Sequence, residues 1–148
     1  MQKYFKEYKW SNISAMLRNL QSDPEICTED SRDLLVIITG ATSGIGFAAA
    51  KKYASHGAEI LSINRNEQKS IEFCEAITNQ YGTNCSYWIA DLSKLSEVHS
   101  IGEKLAALER NIDVLIHNAG VFNTKKTITV DNMEATFQTN YLSTFILN

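Results

Sequence analysis

The sequence predicts an α/β fold, a doubly wound parallel sheet that ends after a fourth strand and the helix following it. Two observations predict this fold. Four short strand-like segments alternate with segments whose apolar residues recur at helical spacing. A group of small residues, three of them glycines, separates the first strand of the series from its first helix. The 148 residues suit one such domain.

An N-terminal part precedes the alternation. Residues 1–22 are predicted to form a helix, because their large apolar side chains fall mostly on one face. These side chains are Tyr4, Phe5, Tyr8, Ile13, Met16, Leu17 and Leu20. Residues 22–33 are polar and acidic and hold the only proline, which predicts a linker. The expected division is residues 1–33, a helix with an acidic linker, and residues 34–148, the α/β domain.

The predicted strands are short and mostly apolar. Leu34–Thr39 is a continuous apolar run, typical of a parallel strand buried on both faces. The others are Glu59–Ile63, Cys85–Ala90 and Asp113–His117. In a doubly wound sheet of order 3-2-1-4, the fourth strand lies beside the first and forms an edge. Its apolar centre, Val114–Ile116, should favour self-association if nothing covers it.

The predicted helices are bounded by capping residues. Ile45–His56 is followed by Gly57, and Asn66 caps a second helix that ends at Gly82. The apolar positions of the third helix are Leu95, Val98, Ile101, Leu105 and Leu108. A fourth helix is predicted to begin at Asp131 or Asn132, with one face formed by Met133, Phe137, Asn140 and Thr144.

Three glycines shape the turn after the first strand, in a G-x-x-x-G-x-G spacing. Gly40 lets the chain turn, Gly44 leaves room for a pyrophosphate against the backbone, and Gly46 lets the helix approach the sheet. Free amide groups and the helix dipole would then attract an anion. The alternative is a tight turn that binds nothing, but the position between a strand and a helix favours phosphate binding.

These residues resemble a known family. "TGATSGIG" (Thr39–Gly46) is similar to the cofactor motif of the short-chain dehydrogenase/reductase family. "ADL" (Ala90–Leu92), "HNAG" (His117–Gly120) and "TNYLSTF" (Thr139–Phe145) resemble three further motifs of that family, in the family's order. The resemblance covers Leu34–Asn148 and implies part of a Rossmann-type, NAD(P)-binding domain. The segment around the last motif looks most like the retinol-dehydrogenase-like branch.

The resemblance also implies site residues. Asn140 takes the place of the family's catalytic asparagine, Asp91 would meet the adenine, and no metal site is expected. The expected cofactor contacts are Gly40, Thr42, Ser43, Gly44, Ile45, Gly46, Asn64, Arg65, Asp91, Leu92, Asn118, Ala119 and Gly120.

Two adjacent residues bear on the choice of cofactor. A carboxylate about twenty residues beyond the glycines normally holds the ribose hydroxyls of NAD. Counting from Gly44, this position is Asn64, which would not repel a 2′-phosphate. Arg65 follows and is suited to bind that phosphate, although it is alternatively an ordinary solvated side chain. NADP(H) is therefore the expected cofactor, with NAD(H) as the alternative.

The family's catalytic Tyr and Lys, spaced as Y-x-x-x-K, have no counterpart among the six tyrosines. We therefore expect the N-terminal half of an oxidoreductase, inactive by itself, acting on a small-molecule alcohol or carbonyl. The alternative is a shortened, non-catalytic module that binds a nucleotide or a partner. A sugar-nucleotide epimerase is a third reading, but it would need a glycine at Ser43.

Composition limits the other classes. The net charge of −3 and the lack of a basic tract argue against nucleic-acid binding. The longest aliphatic run is too short to span a bilayer. An odd number of cysteines without a secretory signal favours a cytoplasmic protein, with Cys74 and Cys85 as small buried side chains. A homo-oligomer and a membrane-surface contact through residues 1–22 are further options.

Overall fold

A computed structural model describes residues 10–21 and 28–148. Residues 1–9 and 22–27, which the sequence assigns to the N-terminal helix and the linker, lie outside the described residues. The strands are β1 (Leu35–Thr39), β2 (Glu59–Asn64), β3 (Cys85–Ile89) and β4 (Val114–His117). The helices are α1 (Trp10–Gln21), α2 (Gly44–Ser55), α3 (Glu67–Tyr81), α4 (Leu95–Ala106), α5 (Ala135–Phe137) and α6 (Ser143–Leu147), with a π-helical turn (Gln138–Leu142) between the last two.

The four strands form one parallel sheet in the order β3-β2-β1-β4, which confirms the predicted topology. Val36 of β1 lies opposite Ile60 of β2 on one side and Val114 of β4 on the other. Every residue of β1 is buried, while every residue of β4 is only half-buried, because β4 is an edge of the described sheet.

The sheet is covered on both faces. Alternate residues of β1 point to opposite sides, as the period of a strand requires. Leu35 and Ile37 join a cluster that includes apolar residues of α4 and Leu147 of α6. Val36 and Ile38 join a second cluster, formed with α2 and α3. A continuous apolar run is therefore what this central strand needs, and the predicted boundaries of β1 are right to within one residue.

The caps predicted for α3 are confirmed. The Asn66 side chain accepts the backbone N–H of Lys69 at 2.9 Å, and Gly82 adopts a left-handed conformation with φ of +69°.

The prediction for the fourth helix is wrong. Its first turn begins at Ala135, where the Glu134 carboxylate accepts the backbone N–H groups of Thr136 and Phe137. Asp131 caps a different helix, because its carboxylate accepts the N–H of Leu95 at 2.8 Å. A capping side chain thus signals a helix start without saying which helix it caps.

The four residues predicted to share one face of that helix do not form its buried side. Phe137 is half exposed and Asn140 is exposed, whereas the π-helical turn shifts the buried side to other positions. The buried residues are Ala135, Gln138, Thr139, Ser143 and Leu147. Within the described parts of the chain, no helix is both long and apolar enough to cross a membrane.

Candidate nucleotide-binding site

A groove of about 610 Å³ runs along the carboxyl ends of the four strands. This edge of an open α/β sheet is where such folds bind their ligands. The groove brings together ten of the residues that the sequence predicts for cofactor binding. They are Gly40, Thr42, Ser43, Asn64, Arg65, Asp91, Leu92, Asn118, Ala119 and Gly120. Gly44, Ile45 and Gly46 form the adjoining start of α2, and Asn140 does not line the groove.

The glycines of the turn have two structural roles. Gly40 and Gly46 permit close packing: a Cβ on Gly40 would lie 2.9 Å from Ala119 Cα, and one on Gly46 would lie 2.5 Å from Gly40 O. Gly44 has φ of +60°, and a Cβ there would meet nothing within 4 Å among the described residues. Gly44 therefore serves the left-handed backbone and the open space beside the groove, which suits the approach of a phosphate.

The start of α2 offers unpaired backbone donors. The first N–H groups of a helix have no partner within the helix. Ser43 is the N-cap in an extended conformation, and its side chain makes no capping hydrogen bond within the described part of the chain. Gly44 and Ile45 are exposed, with Ile45 at 83%. These amides and the positive end of the helix dipole are arranged to bind an anion.

Asn64 does not face the groove in the way that the ribose role requires. Its side chain is buried, and Oδ1 accepts the N–H of Ala41 at 2.9 Å. Nδ2 donates to the hydroxyls of Ser62 at 3.0 Å and Ser70 at 3.1 Å. The Ser70 hydroxyl donates in turn to Asn66 O at 2.7 Å. Asn64 thus links the glycine turn to the first turn of α3 through a buried hydrogen-bonded network.

Arg65 is placed as the sequence predicts. Arg65 directly follows β2 and is exposed, and it lines the groove together with Lys69 of α3. Its charge helps to lower the pKa of the Asp91 carboxyl, which follows the neighbouring strand β3. Two cations and a neutral buried Asn64 in this part of the groove favour a negatively charged group there.

Asp91 follows β3. Burial raises its pKa, but hydrogen bonds from the hydroxyl and the N–H of Ser93 lower it, as do the charges of Lys94 and Arg65. The net effect is a pKa below the usual value, so the carboxylate is ionised at neutral pH. Both Ser93 bonds fall on Oδ1, which leaves Oδ2 for an amino group such as that of adenine.

Asn118 holds the ends of β1 and β4 together. Its Nδ2 donates to Gly40 O at 2.9 Å and Thr39 O at 3.2 Å. The Thr39 hydroxyl accepts the N–H groups of Asn118 and Ala119 at 3.1 and 3.0 Å. Asn118 therefore fixes the turn through its side chain, which explains why an asparagine serves here even if it does not touch a ligand.

Asn140 lies in the π-helical turn, and its amide group is paired with the backbone of Val121. Oδ1 accepts the Val121 N–H at 2.8 Å, and Nδ2 donates to Val121 O at 2.9 Å. This pairing holds the segment after β4 against the helix. A structural role of the Asn140 side chain is thus visible, and its catalytic role stays a prediction.

Sequence reasoning missed Gln138, which is fully buried. Its Nε2 donates to Ser93 O at 2.9 Å and to the Asp131 carboxylate at 2.6 Å, and its Oε1 accepts a hydrogen bond from the Thr129 hydroxyl. These bonds tie the loop before α5 to the loop that carries Asp91. The available signal was a long polar side chain at a helix position that faces the core, since such groups are almost always hydrogen-bonded.

No candidate metal site is found among the described residues. Among residues 10–21 and 28–148, no group of three or more His, Cys, Asp or Glu side chains could hold a metal ion.

Known proteins share this sequence pattern. A Drosophila melanogaster WW domain-containing oxidoreductase is 38% identical over 122 residues, which cover 80% of this chain and 30% of that protein. The short-chain dehydrogenase TIC 32 A, chloroplastic, of Brassica napus is 34% identical over 119 residues, which cover 80% of this chain and 37% of that protein. The chain thus spans well under half the length of these relatives.

Solved structures share the fold. A short-chain dehydrogenase from Sphingobium yanoikuyae in complex with NADPH matches with a TM-score of 0.69 at 25% identity, over 77% of this chain and 45% of that chain. The Escherichia coli oxidoreductase yciK matches with a TM-score of 0.69 at 25% identity, over 85% of this chain and 54% of that chain. A family model described as short chain dehydrogenase matches residues 34–148. The chain belongs to the short-chain dehydrogenase family.

Proposed function

We propose that this chain supplies the NADP(H)-binding part of an oxidoreductase that transfers a hydride between NADP(H) and a small alcohol or carbonyl. The observation that carries the proposal is the exposed Arg65 beside a neutral, buried Asn64, in the groove that adjoins the α2 amides. A carboxylate at position 64 would repel a 2′-phosphate, and an exposed guanidinium attracts one. The NADPH complex of the Sphingobium relative supports the proposal.

The residues present fit such a cofactor. Gly44 leaves open space at a left-handed backbone position, which lets a pyrophosphate meet the amides of the α2 start. Arg65 would hold the 2′-phosphate, and Asp91 would accept a hydrogen bond from the adenine amino group. When bound, the nicotinamide supplies or receives the hydride. The chain's own residues thus bind and orient the adenosine and phosphate parts.

The test is the pair of Kd values for NADPH and NADH in an Arg65→Ala variant. We expect NADPH binding to weaken by about 1.5–3 kcal/mol, roughly 10- to 150-fold, because a hydrogen bond to a charged group is lost. NADH binding should change little, because NADH carries no 2′-phosphate. Arg32→Ala is the matched control, since Arg32 is also exposed but pairs with Asp30 outside the groove. Equal losses for both cofactors would rule out the proposed role.

The non-catalytic module is the second candidate. One observation favours it: the amide group of Asn140 is engaged by the backbone of Val121. The 148 residues hold no Y-x-x-x-K and therefore lack the kind of donor that protonates a carbonyl oxygen in the family.

We therefore predict that the 148-residue chain alone turns over no retinoid, steroid or simple carbonyl substrate with NADPH. The measurement is the absorbance of the reduced nicotinamide over a substrate panel, with NADPH binding by the same sample as the positive control. Turnover above a no-enzyme blank that Asn140→Ala abolishes would contradict the prediction and restore a catalytic role for Asn140.

Several finer assignments stay predictions. They include the retinol-dehydrogenase-like branch, a cytoplasmic location and a homo-oligomer. An oligomer would be consistent with the half-buried edge strand β4 and with three exposed aromatic side chains spaced four residues apart, Phe137, Tyr141 and Phe145. Membrane contact through residues 1–22 depends largely on side chains outside the described residues.

A further inference from the structure

Two cysteines lie in contact at the β3 edge of the sheet, opposite the β4 edge. Cys74 is on α3, and Cys85 is the first residue of β3, the other edge strand of the described sheet. The Cys85 thiol donates a hydrogen bond to Cys74 Sγ, with the two sulfurs 3.1 Å apart. Both are free thiols, Cys74 buried and Cys85 half-buried. The sequence predicts only small buried side chains here, so the pairing comes from the fold.

We propose that Cys74 and Cys85 form a thiol-oxidation site that takes small hydroperoxides and closes to an intramolecular disulfide. The separation of the sulfurs is the main argument. A disulfide bond is about 2.05 Å long, so the atoms need to approach by only about 1 Å. The two residues are eleven positions apart in sequence, and α3 packs directly on β3. Closing the bond therefore requires a movement of only about 1 Å between the two sulfurs.

The hydrogen bond gives the two thiols different roles. The Cys85 thiol lowers the pKa of Cys74, an effect that burial opposes and the Ser62 hydroxyl assists. The same contact with Cys74 raises the pKa of Cys85, and burial raises it further. The thiolate is the reactive form toward peroxides, so Cys74 is the attacking sulfur and Cys85 the resolving one.

The reaction balances in two steps. The Cys74 thiolate attacks the distal oxygen of ROOH, the O–O bond breaks, and the alkoxide leaves and takes up a proton as ROH. Cys74 is then a sulfenic acid. The Cys85 sulfur attacks the Cys74 sulfur, the S–O bond breaks, and hydroxide leaves with the Cys85 proton as water. In sum, two thiols and one hydroperoxide give a disulfide, an alcohol and water; the cysteines are oxidised and the peroxide is reduced.

The position of the pair predicts what the bond would and would not change. Cys85 lies at the amino end of β3, whereas the groove lies at the carboxyl ends of the strands. The disulfide would restrain α3 against β3 and raise the melting temperature, because the cross-link lowers the conformational entropy of the unfolded chain. NADPH affinity should stay within twofold. This inference does not depend on the proposed function.

The test is peroxide oxidation of the native protein, followed by peptide mapping without reduction. We expect the loss of two thiols per chain, a peptide linking Cys74 to Cys85, and full recovery with dithiothreitol. Cys27 is the remaining cysteine of the sequence and serves as the internal control. In the unfolded protein, linked peptides containing Cys27 should appear as well.

Variants identify the attacking sulfur. Cys85→Ser should accumulate a sulfenic acid on Cys74 that dimedone traps, whereas Cys74→Ser should give little trapped product at Cys85. Three results would overturn the proposal. They are unreacted Cys74 and Cys85 at peroxide levels that oxidise free cysteine, linkage through Cys27 in the folded protein, and an intermolecular disulfide. Circular dichroism of each serine variant checks that it is folded, and the mapping of the native protein stands without them.

Discussion

Replacing Gly44 by valine is expected to abolish NADPH binding while most of the fold survives. The Gly44 backbone has φ of +60°, and open space lies where a Cβ would be. Valine at this position would place its branched side chain where we propose that the pyrophosphate meets the α2 amides. If the side chain prevents two hydrogen bonds between these amides and the pyrophosphate, the loss corresponds to about 3 kcal/mol or more, or at least about a hundredfold in Kd.

The same substitution also strains the backbone, so it needs a control with equal strain. Gly82 provides one: its φ is +69°, a Cβ there would meet nothing within 4 Å among the described residues, and it lies outside the groove. Each change to valine should cost about 1–2 kcal/mol of unfolding free energy for the left-handed conformation. Only Gly44→Val should lose NADPH.

The measurement is calorimetric titration with NADPH, together with the melting temperature of both variants. Undiminished NADPH affinity in Gly44→Val would show that the glycine turn is only structural. If both variants lost NADPH, the effect would come from general destabilisation. Because the two glycines share their backbone conformation, a difference in NADPH affinity between the variants comes from the position of Gly44 beside the groove and not from backbone strain.

Most of the fold could be predicted because its signals are local. The apolar run of β1, the Asn66 cap and Gly82 each specify their own element, and the four alternations specify the strand order. The prediction of the fourth helix failed for two reasons. Asp131 caps α4, which is distant in sequence, and the π-helical turn changes which side of the last helix is buried. Neither effect leaves a periodic pattern in the sequence.

The site could be predicted as a set of residues but not as a set of roles. Ten of the thirteen residues predicted to contact the cofactor line one groove, yet motif spacing could not tell which side chains face the groove and which hold the turn. Asn118 and Asn140 bind backbone groups with their amides. The contact between Cys74 and Cys85 depends on how α3 packs on β3, which no spacing encodes.

Asn64 shows the difference between a position and a role most clearly. Counting along the sequence places it where a ribose ligand belongs, but the structure buries it and uses both ends of its amide. A residue at the end of β2 can point either into the groove or under the glycine turn. The small buried hydroxyls of Ser62 and Ser70 provide acceptors under the turn, and these decide its direction.

Asn64→Leu should therefore lower the free energy of unfolding, by about 2–4 kcal/mol, whether or not a cofactor is present. Leucine branches at Cγ as asparagine does but offers no acceptor to the Ala41 N–H, and a buried donor without a partner costs about 1–3 kcal/mol. The bonds to the Ser62 and Ser70 hydroxyls are lost as well, although each hydroxyl retains a backbone carbonyl as acceptor. The measurement is urea unfolding without NADPH.

Asn66→Ala is the matched control for this prediction. It removes an exposed asparagine two residues away, whose side chain caps α3, and a lost N-cap costs about 1 kcal/mol. We expect Asn64→Leu to be the more destabilising of the two, because its lost partners are buried. If Asn64→Leu instead left unfolding unchanged and weakened only cofactor binding, Asn64 would be the ribose ligand that counting along the sequence indicates. The effect of Asn64→Leu on the free energy of unfolding without NADPH therefore separates a side chain that holds the turn from one that holds only the cofactor.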